Sequence, residues 1–280
     1  MSTATTPWYQ DWQHAMHGEL FNRPAGHDPR NLLRHYESFN DVRLLNESLE
    51  PAMPLALAEI GCATGEFYRY VRLRHPAVRY YGFDISETAI RLATQKYPQA
   101  RFAVTGPEVL LAESLRQAGL SALPEIVYAK DVVHHQTRPF AFMGELLANA
   151  SQLLVMRLRT RDVGATVLDP EQSCQYHYAG WMPYIVMNLQ EVVDAIRRAA
   201  PVADIVIHRH HVILGGHANR YLPKACYLKE TGTAETAVAV RLRSASPGRV
   251  TIEDRTDGAP RYSFGHRLRR TVRDALAGLR

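Results

Sequence analysis

Residues 55–86 read LALAEIGCATGEFYRYVRLRHPAVRYYGFDIS, and this stretch decides the fold. An apolar run ends at Ile60 and is interrupted by Gly61 and Gly65, a helical run follows, and a second apolar run ends at Asp84. Nearly continuous apolar runs are typical of strands that helices cover on both faces of a parallel sheet. Strand, glycine loop, helix, strand and terminal acid together predict the first half of a nucleotide-binding βαβ unit.

The spacing of the glycines argues against a dinucleotide fingerprint. The GxGxxG pattern needs glycine at three positions, and Ala63 and Glu66 occupy two of them. Gly61 and Gly65, with Asp84 nineteen residues further on, resemble motif I and the following acid of the class I S-adenosylmethionine (SAM)-dependent methyltransferases. The competing interpretation is an ordinary strand–turn–helix in which the glycines serve only the turn.

The resemblance covers residues 55–230 and implies both a fold and a cofactor. The fold is α/β and Rossmann-like, a seven-stranded, mostly parallel sheet with helices on both faces, and the cofactor is S-adenosyl-L-methionine. A glycine loop ahead of a helix suits this ligand, because the backbone can approach it closely and the helix start offers unpaired N–H groups. In the family, the loop holds the amino-acid portion of SAM, and the acid after the second strand binds the ribose.

Two positions depart from the family's pattern. Ala63 stands where the family often has a third glycine, so we expect a slightly displaced loop. The family commonly places an Asp or Asn after the third strand to hold the adenine amine, and this chain offers Thr105, Glu108 or the backbone there. The cofactor contacts that the resemblance implies are Glu59, Gly61, Cys62, Ala63, Gly65, Asp84, Ile85, Thr105, Glu108 and Asp131.

The chain as a whole predicts one α/β domain with additions at both ends. Residues 205–214 and 221–228 are expected to be its last two strands, and the resemblance places the final, antiparallel strand between the fifth and the sixth. The additions include an insertion at 160–187, which is too long for a simple connection. The predicted units are an N-terminal helical arm or lid (1–50), a SAM-binding domain (51–230), and a C-terminal hairpin of 237–243 with 249–254 followed by a basic tail (231–280).

The segment from Lys130 to Gln136, KDVVHHQ, resembles the family's fourth motif, where the chain passes the transferring methyl group. An acceptor hydroxyl or protonated amine must lose a proton, and histidine suits that task at neutral pH. The candidate bases are therefore His134 and His135, with His177 in the insertion as a second candidate. The alternative is that these histidines only pack against the core.

Aromatic residues with polar tips are concentrated in the insertion, in the run QYHYAGWMPY. Such side chains suit a pocket for a sugar or an aromatic small molecule, and they equally suit a lid packed on the core. The substrate candidates are Tyr176, Tyr178, Trp181 and Tyr184.

Composition sets limits on the function classes. The net charge of +5 permits an anionic partner without demanding one. Three cysteines without a CxxC pair predict free thiols, a reducing compartment and no structural zinc. No apolar run reaches the length of a membrane span, and the start has no signal-peptide core, so we expect a cytoplasmic protein. His134, His135, Cys174 and His177, or His208 with His210, are the metal alternatives, and we expect no metal at either place.

The sequence thus predicts an enzyme, a SAM-dependent methyltransferase acting on oxygen or nitrogen of a small-molecule or glycan acceptor. One rival is an RNA or protein methyltransferase that uses the basic tail 261–280, although a solvated helix face is the favoured interpretation of that tail. The other is a non-catalytic SAM-binding module. A homodimer is also among the partner expectations.

Overall fold

A computed structural model describes residues 28–49, 54–106, 111–169, 172–177, 180–212, 214, 232–242 and 248–254, and of residues 176, 177, 180 and 181 only the backbone. The predicted arm before residue 28, the predicted strand at 221–228 and the basic tail lie outside these residues. No helix in the described ranges is long and apolar enough to cross a bilayer.

Two short helices precede the sheet, α1 (Pro29–Glu37) and α2 (Asn40–Ser48). Asp28 caps α1, because its side chain accepts a hydrogen bond from the Arg30 amide at 2.9 Å and Pro29 suits the first helical position. The two helices are separated by a break at residues 38–39.

Alternating strands and helices form the first half of the sheet. The Ser86 side chain accepts a hydrogen bond from the Ala89 amide and so caps the helix Glu87–Lys96. These elements are β1 (Ala56–Ile60), α3 (Glu66–Arg74), β2 (Arg79–Asp84), α4 (Glu87–Lys96), β3 (Arg101–Val104), α5 (Leu111–Gln117), β4 (Ile126–Lys130), α6 (Pro139–Ala148) and β5 (Leu153–Arg161).

The second half adds a small hairpin and three further strands to the sheet. The Asn188 side chain accepts hydrogen bonds from the amides of Gln190 and Glu191 and so caps the helix Leu189–Ala199. The elements are β6 (Cys174–His177), β7 (Gly180–Pro183), β8 (Met187–Asn188), α7 (Leu189–Ala199), β9 (Asp204–His211), β10 (Ala234–Arg241) and β11 (Val250–Asp254).

The strand order is β11-β9-β10-β5-β4-β1-β2-β3, and β8 adds a short parallel pairing to β5. Among the strands of this sheet that the structure describes, only β10 runs antiparallel, between β5 and β9. The predicted fold class, a mostly parallel α/β sheet with helices on both faces, is confirmed. The sheet is larger than the predicted seven strands, because β11 and β8 are added.

The predicted C-terminal hairpin is wrong. Ala234–Arg241 pairs with β5 and β9, whereas Val250–Asp254 pairs in parallel with the other side of β9. The physical reason lies in burial: the AVAV run is apolar on both faces and fits a central strand, whereas Val250 and Ile252 are partly exposed on an edge. The sheet therefore continues past residue 230, where the sequence-based division places a boundary.

The apolar runs of the sequence predict the fourth strand at 126–133 and the fifth at 153–158, and both strand ends differ in the structure. The fourth strand ends at Lys130 rather than Val133, because Asp131 takes a left-handed backbone conformation (φ +56°) and a 3-10 turn follows at Val133–His135. The fifth strand runs to Arg161 rather than Leu158.

The core has one apolar cluster on each face of the sheet. Helices α5, α6 and α7 cover one face, and α2 and α3 cover the other. On the second face, apolar residues give way to charged ones toward the carboxyl ends of β4 and β5, where Val155 is followed on the same side by Arg157 and Arg159. Ligands in open α/β sheets bind beyond these ends.

Candidate functional site

The glycine loop after β1 adopts the conformation that its residues permit. Gly61, Ala63 and Gly65 all have positive φ, at +81°, +48° and +77°. A Cβ built on Gly61 would overlap the side chain of Val132, so this position has room only for glycine. The same contact shows that the loop lies directly against the turn that follows β4.

Asp84 ties the loop to the end of β2. Its Oδ2 accepts a hydrogen bond from the Ala63 amide at 2.8 Å, and its Oδ1 accepts one from the Ser86 amide at 2.9 Å. Each carboxylate oxygen keeps a further lone pair, so Asp84 can still accept hydrogen bonds from a ligand's hydroxyls. Burial raises the pKa of Asp84 from its usual value, although the backbone donors partly oppose this shift.

The other predicted cofactor residues near the loop are buried or half-buried. The Cys62 amide donates to the Phe83 carbonyl at 2.9 Å, and the Cys62 thiol is buried. Glu59 is buried and accepts a hydrogen bond from the Tyr80 hydroxyl, and burial raises the pKa of Glu59 to about 8. Ile85 is half-buried.

The end of β3 borders open space beside the loop. A Cβ built on Gly106 would meet no atom within 4 Å, and Val104 is 37% exposed. The Thr105 amide donates to the Asp84 carbonyl at 2.9 Å, and its hydroxyl accepts from Ser114 at 3.1 Å. Glu108 lies outside the described residues.

The turn after β4 places two adjacent histidines in different environments. His134 is 1% exposed, and its Nδ1 has no hydrogen-bond partner. Burial, and after it the neighbouring His135 and Arg159, hold the pKa of His134 well below its usual value. His135 is half-buried, and its Nδ1 lies 2.7 Å from the Pro183 carbonyl oxygen. A carbonyl only accepts, so Nδ1 carries the proton and the lone pair is on Nε2.

The segment after β7 forms a wall beside this turn. The Ile185 amide donates to the His134 carbonyl at 2.9 Å, and the Tyr184 ring lies 5.3 Å from the His134 ring and 5.9 Å from the His135 ring. Tyr184 is therefore next to the candidate bases, and its role as a substrate residue stays a prediction. The side chains of Tyr176, His177 and Trp181, and the whole of Tyr178, lie outside the described residues.

A buried ion-pair network joins the turn to the rest of the sheet. Asp131 Oδ1 lies 2.9 Å from Arg159 Nη1, and Glu235 Oε2 lies 2.6 Å from Arg157 Nη2. Asp41 on α2 completes it, 3.9 Å from Arg157 Nε. Burial alone would raise the pKa of Asp131, but Arg157 and Arg159 outweigh burial and hold that pKa far below its usual value. The same two arginines lower the pKa of Glu235 against the effect of burial.

Sequence reasoning missed the arginines of this network. The run RLRTR could have revealed them, because it has arginine at every second position at the end of a strand that is otherwise apolar. It also missed Asp41, because the contact from α2 to β5 spans more than a hundred residues. Within the described residues, no group of three His, Cys, Asp or Glu side chains could hold a metal ion.

Part of this chain is similar in sequence to a known family of protein domains. Residues 58–156 match a protein-family model described as "Methyltransferase domain", and no curated protein matches the chain. A similar solved structure is the O-methyltransferase of a trans-AT PKS multienzyme from Brevibacillus brevis in complex with S-adenosyl-L-homocysteine. Its identity is 11%, its TM-score is 0.50, and the alignment covers 81% of this chain and 79% of that chain. This likeness shows a shared fold.

Two further solved structures are similar to this chain. The N-terminal domain of EvdMO1, in the presence of SAH and D-fucose, has 14% identity and a TM-score of 0.49, covering 77% of this chain and 84% of that one. Magnesium protoporphyrin IX methyltransferase from Synechocystis PCC 6803, with bound SAH, has 14% identity and a TM-score of 0.43, covering 83% and 94%.

Proposed function

As this chain contains a class I SAM-dependent methyltransferase domain, we propose that it methylates an oxygen or nitrogen of a small-molecule or glycan acceptor. The observation that carries this proposal is the wall formed by Tyr184 and Ile185 against the turn after β4. This wall lies at the carboxyl edge of the sheet, directly beside the turn that carries the candidate bases. An aromatic side chain with a polar tip beside such a turn is typical of small-molecule sites, and this supports a small acceptor over a folded macromolecule.

The loop and the acid fit the cofactor. The positive φ angles bring backbone close to a ligand, Asp84 keeps lone pairs for two hydroxyls, and the space beside Gly106 is open for a flat ring. We assign the amino-acid portion of the cofactor to Gly61, Ala63 and Gly65, and its ribose to Asp84. S-adenosyl-L-methionine supplies an activated methyl group on its sulfonium sulfur, so the protein has mainly to align the acceptor and take up a proton.

We assign the proton to His135 rather than to His134. The Pro183 carbonyl holds the Nδ1 proton of His135, which leaves Nε2 as the basic nitrogen. His134 is almost fully buried, and its lowered pKa makes it a weak base. We propose that His134 instead packs beneath His135 and Tyr184 and orients them. His177 remains a second candidate base.

The cysteines support a reducing compartment and hence a cytoplasmic location. Cys62 and Cys174 are both buried, and Cys62 forms no disulfide bond within the part of the chain that the structure describes. Free buried thiols are typical of proteins that do not pass through an oxidising compartment.

A transfer experiment tests the function. We would incubate the protein with SAM labelled on its methyl group and with extract from the source cell, then separate small molecules and glycans from protein and nucleic acid. We expect label in the small-molecule or glycan fraction. The Asp84→Ala variant should transfer none, because it lacks both the ribose acceptor and the bond to the Ala63 amide.

The other outcomes separate the rivals. Label found only in protein or nucleic acid would contradict the proposed acceptor class and favour the function that uses the basic tail. Binding of SAM, measured by calorimetry, without transfer to any fraction would favour a non-catalytic module.

A further inference from the structure

Three arginines follow one side of β5 toward its carboxyl end. Arg157, Arg159 and Arg161 alternate with Leu158 and Thr160, and side chains two apart on a strand share a face. In the parallel pairing, Arg157 lies opposite Lys130, the last residue of β4. Arg159 and Arg161 therefore project past the end of β4, into the region where an acceptor would meet the methyl group.

The first two arginines are neutralised inside the protein. Arg157 makes ion pairs with Glu235, Asp131 and Asp41, and Arg159 makes ion pairs with Asp131 and Glu235. Three carboxylates thus form ion pairs with two guanidinium groups. Arg159 also donates from Nε to the Tyr184 hydroxyl at 3.1 Å, which fixes it beside the wall of the proposed acceptor site.

Arg161 differs from both of its neighbours. It is only 9% exposed, and no hydrogen bond or ion pair joins its side chain to any of the residues that the structure describes. Its Nε is buried without an acceptor. The guanidinium lies against the backbone of Gly164, where a built Cβ would be 3.5 Å from Cζ. The group therefore points to the turn beyond the strand end, not back into the core.

An almost buried cation without a partner is costly, because it has lost much of its hydration and gained no opposite charge. A carboxylate or phosphate would supply the missing opposite charge. The planar guanidinium can form two parallel hydrogen bonds with either group. The position is about 7 Å beyond Arg159 along the strand, close enough for one small molecule to reach both Arg161 and the turn after β4.

We propose that Arg161 binds an anionic group, a carboxylate or a phosphate, of the acceptor. This inference rests on the proposed function and specifies its substrate class. The acceptor is then an anionic small molecule or an anionic glycan, held by its charged end at Arg161 while its oxygen or nitrogen faces His135. Because carboxylates already pair with Arg157 and Arg159, Arg161 is the one of the three arginines left to select for the charge of the acceptor.

The binding test does not depend on turnover. Arginine Nε–Hε signals are recorded by NMR in ¹⁵N-labelled protein saturated with S-adenosyl-L-homocysteine, during titration with succinate or inorganic phosphate up to about 50 mM at constant ionic strength. The Arg161 signal is assigned by its loss in Arg161→Gln. We expect that signal to shift to saturation, and the signal of exposed Arg79 to stay nearly unchanged. The two titrations distinguish a carboxylate site from a phosphate site. No larger shift at Arg161 than at Arg79, with either anion, would overturn the proposal.

The transfer test uses small molecules of the extract separated on an anion exchanger at neutral pH. We expect label in the retained fraction and a loss of about 100-fold in kcat/KM for Arg161→Gln, mainly through KM, with SAM affinity unchanged. Arg161→Lys should recover part of the loss, and Arg79→Gln should show none. Label only in the fraction that is not retained would overturn the anion site and leave the proposed function intact. A shifted Arg161 signal without label in any fraction would keep the anion site and contradict the proposed function.

Discussion

At the residue scale, the environment of each histidine decides its chemistry. His134 and His135 are adjacent in sequence, and their rings lie 4.2 Å apart. The first is enclosed and neutral, whereas the second has its tautomer fixed by the carbonyl of Pro183. Because that carbonyl belongs to a residue 48 positions later, no local pattern distinguishes the two histidines.

Replacing His135 with Ala should lower kcat by about 10²- to 10⁴-fold, because no base would then take the proton from the substrate's oxygen or nitrogen. SAM affinity, measured by calorimetry, should stay within about two-fold of wild type. His135→Gln should be as inactive as His135→Ala, since an amide cannot take up the proton.

His134→Ala is the matched comparison. It removes a buried ring, so we expect a loss of about 2 kcal/mol or more in unfolding free energy and a smaller loss of turnover per folded molecule. Turnover of His135→Ala near the wild-type value, with normal SAM binding, would exclude the base role for this residue.

Part of the site could be predicted from the sequence because it depends on local geometry. The glycine loop, Asp84 and the turn after β4 follow from spacing within short stretches, and the structure brings all three together. Arg161 and Asp41 could not be predicted so directly, because their importance arises from contacts, or from the lack of them, between distant elements.

At the element scale, helix α2 holds the sheet through one carboxylate. Asp41 is fully buried, accepts a hydrogen bond from the Tyr128 hydroxyl and lies next to Arg157. The amide of Asn40 also donates to the His208 and Glu235 carbonyls, at 3.1 and 3.0 Å. The start of α2 thus contacts four strands, β4, β5, β9 and β10.

Asp41→Asn should destabilise the protein by about 2 to 3 kcal/mol, because a buried ion pair loses its charge while Arg157 keeps its other carboxylates. Urea unfolding monitored by circular dichroism measures this change. Asp28→Asn, at the exposed cap of α1, is the control and should change stability by less than about 0.5 kcal/mol, since both residues cap helices well. Equal effects of the two substitutions would mean that the network contributes nothing through Asp41.

The place of each strand in the sheet is predicted less well from the sequence than the positions of the helices. Every strand flanked by a recognisable helix cap was located to within a few residues, as for β2 before Ser86. The AVAV run carries no such mark, and the SASPG stretch after it suggested a hairpin. What places β10 in the sheet is burial of both its faces, a property of the assembled layers.

At the scale of the whole molecule, Glu59 links folding to pH. Burial raises its pKa to about 8, from an ordinary value of 4.5. The folded state therefore keeps a proton that the unfolded state releases between these values. This contribution to stability is fully present below about pH 4.5 and is lost as pH rises toward 8.

Glu59→Gln should remove that dependence while keeping an acceptor for the Tyr80 hydroxyl. Relative to this variant, wild-type protein should lose unfolding free energy between pH 5 and pH 8, with a slope approaching 1.4 kcal/mol per pH unit. Denaturant titrations at several pH values measure the difference. Glu87→Gln, on the exposed start of α4, should follow wild type, and parallel curves for wild type and Glu59→Gln would contradict a raised pKa.

The place of β10 also affects the order of events during synthesis. Strand β9 can join β5 only through β10, so the sheet stays divided until residue 241 has emerged from the ribosome. Eighty residues separate this point from the end of β5 at residue 161, and their translation takes roughly 4 to 16 s at ordinary rates of synthesis. During that interval the nascent chain exposes an unpaired β5 edge on which Leu154 and Met156 later become buried. Chaperones that bind apolar strands would meet this protein at that stage.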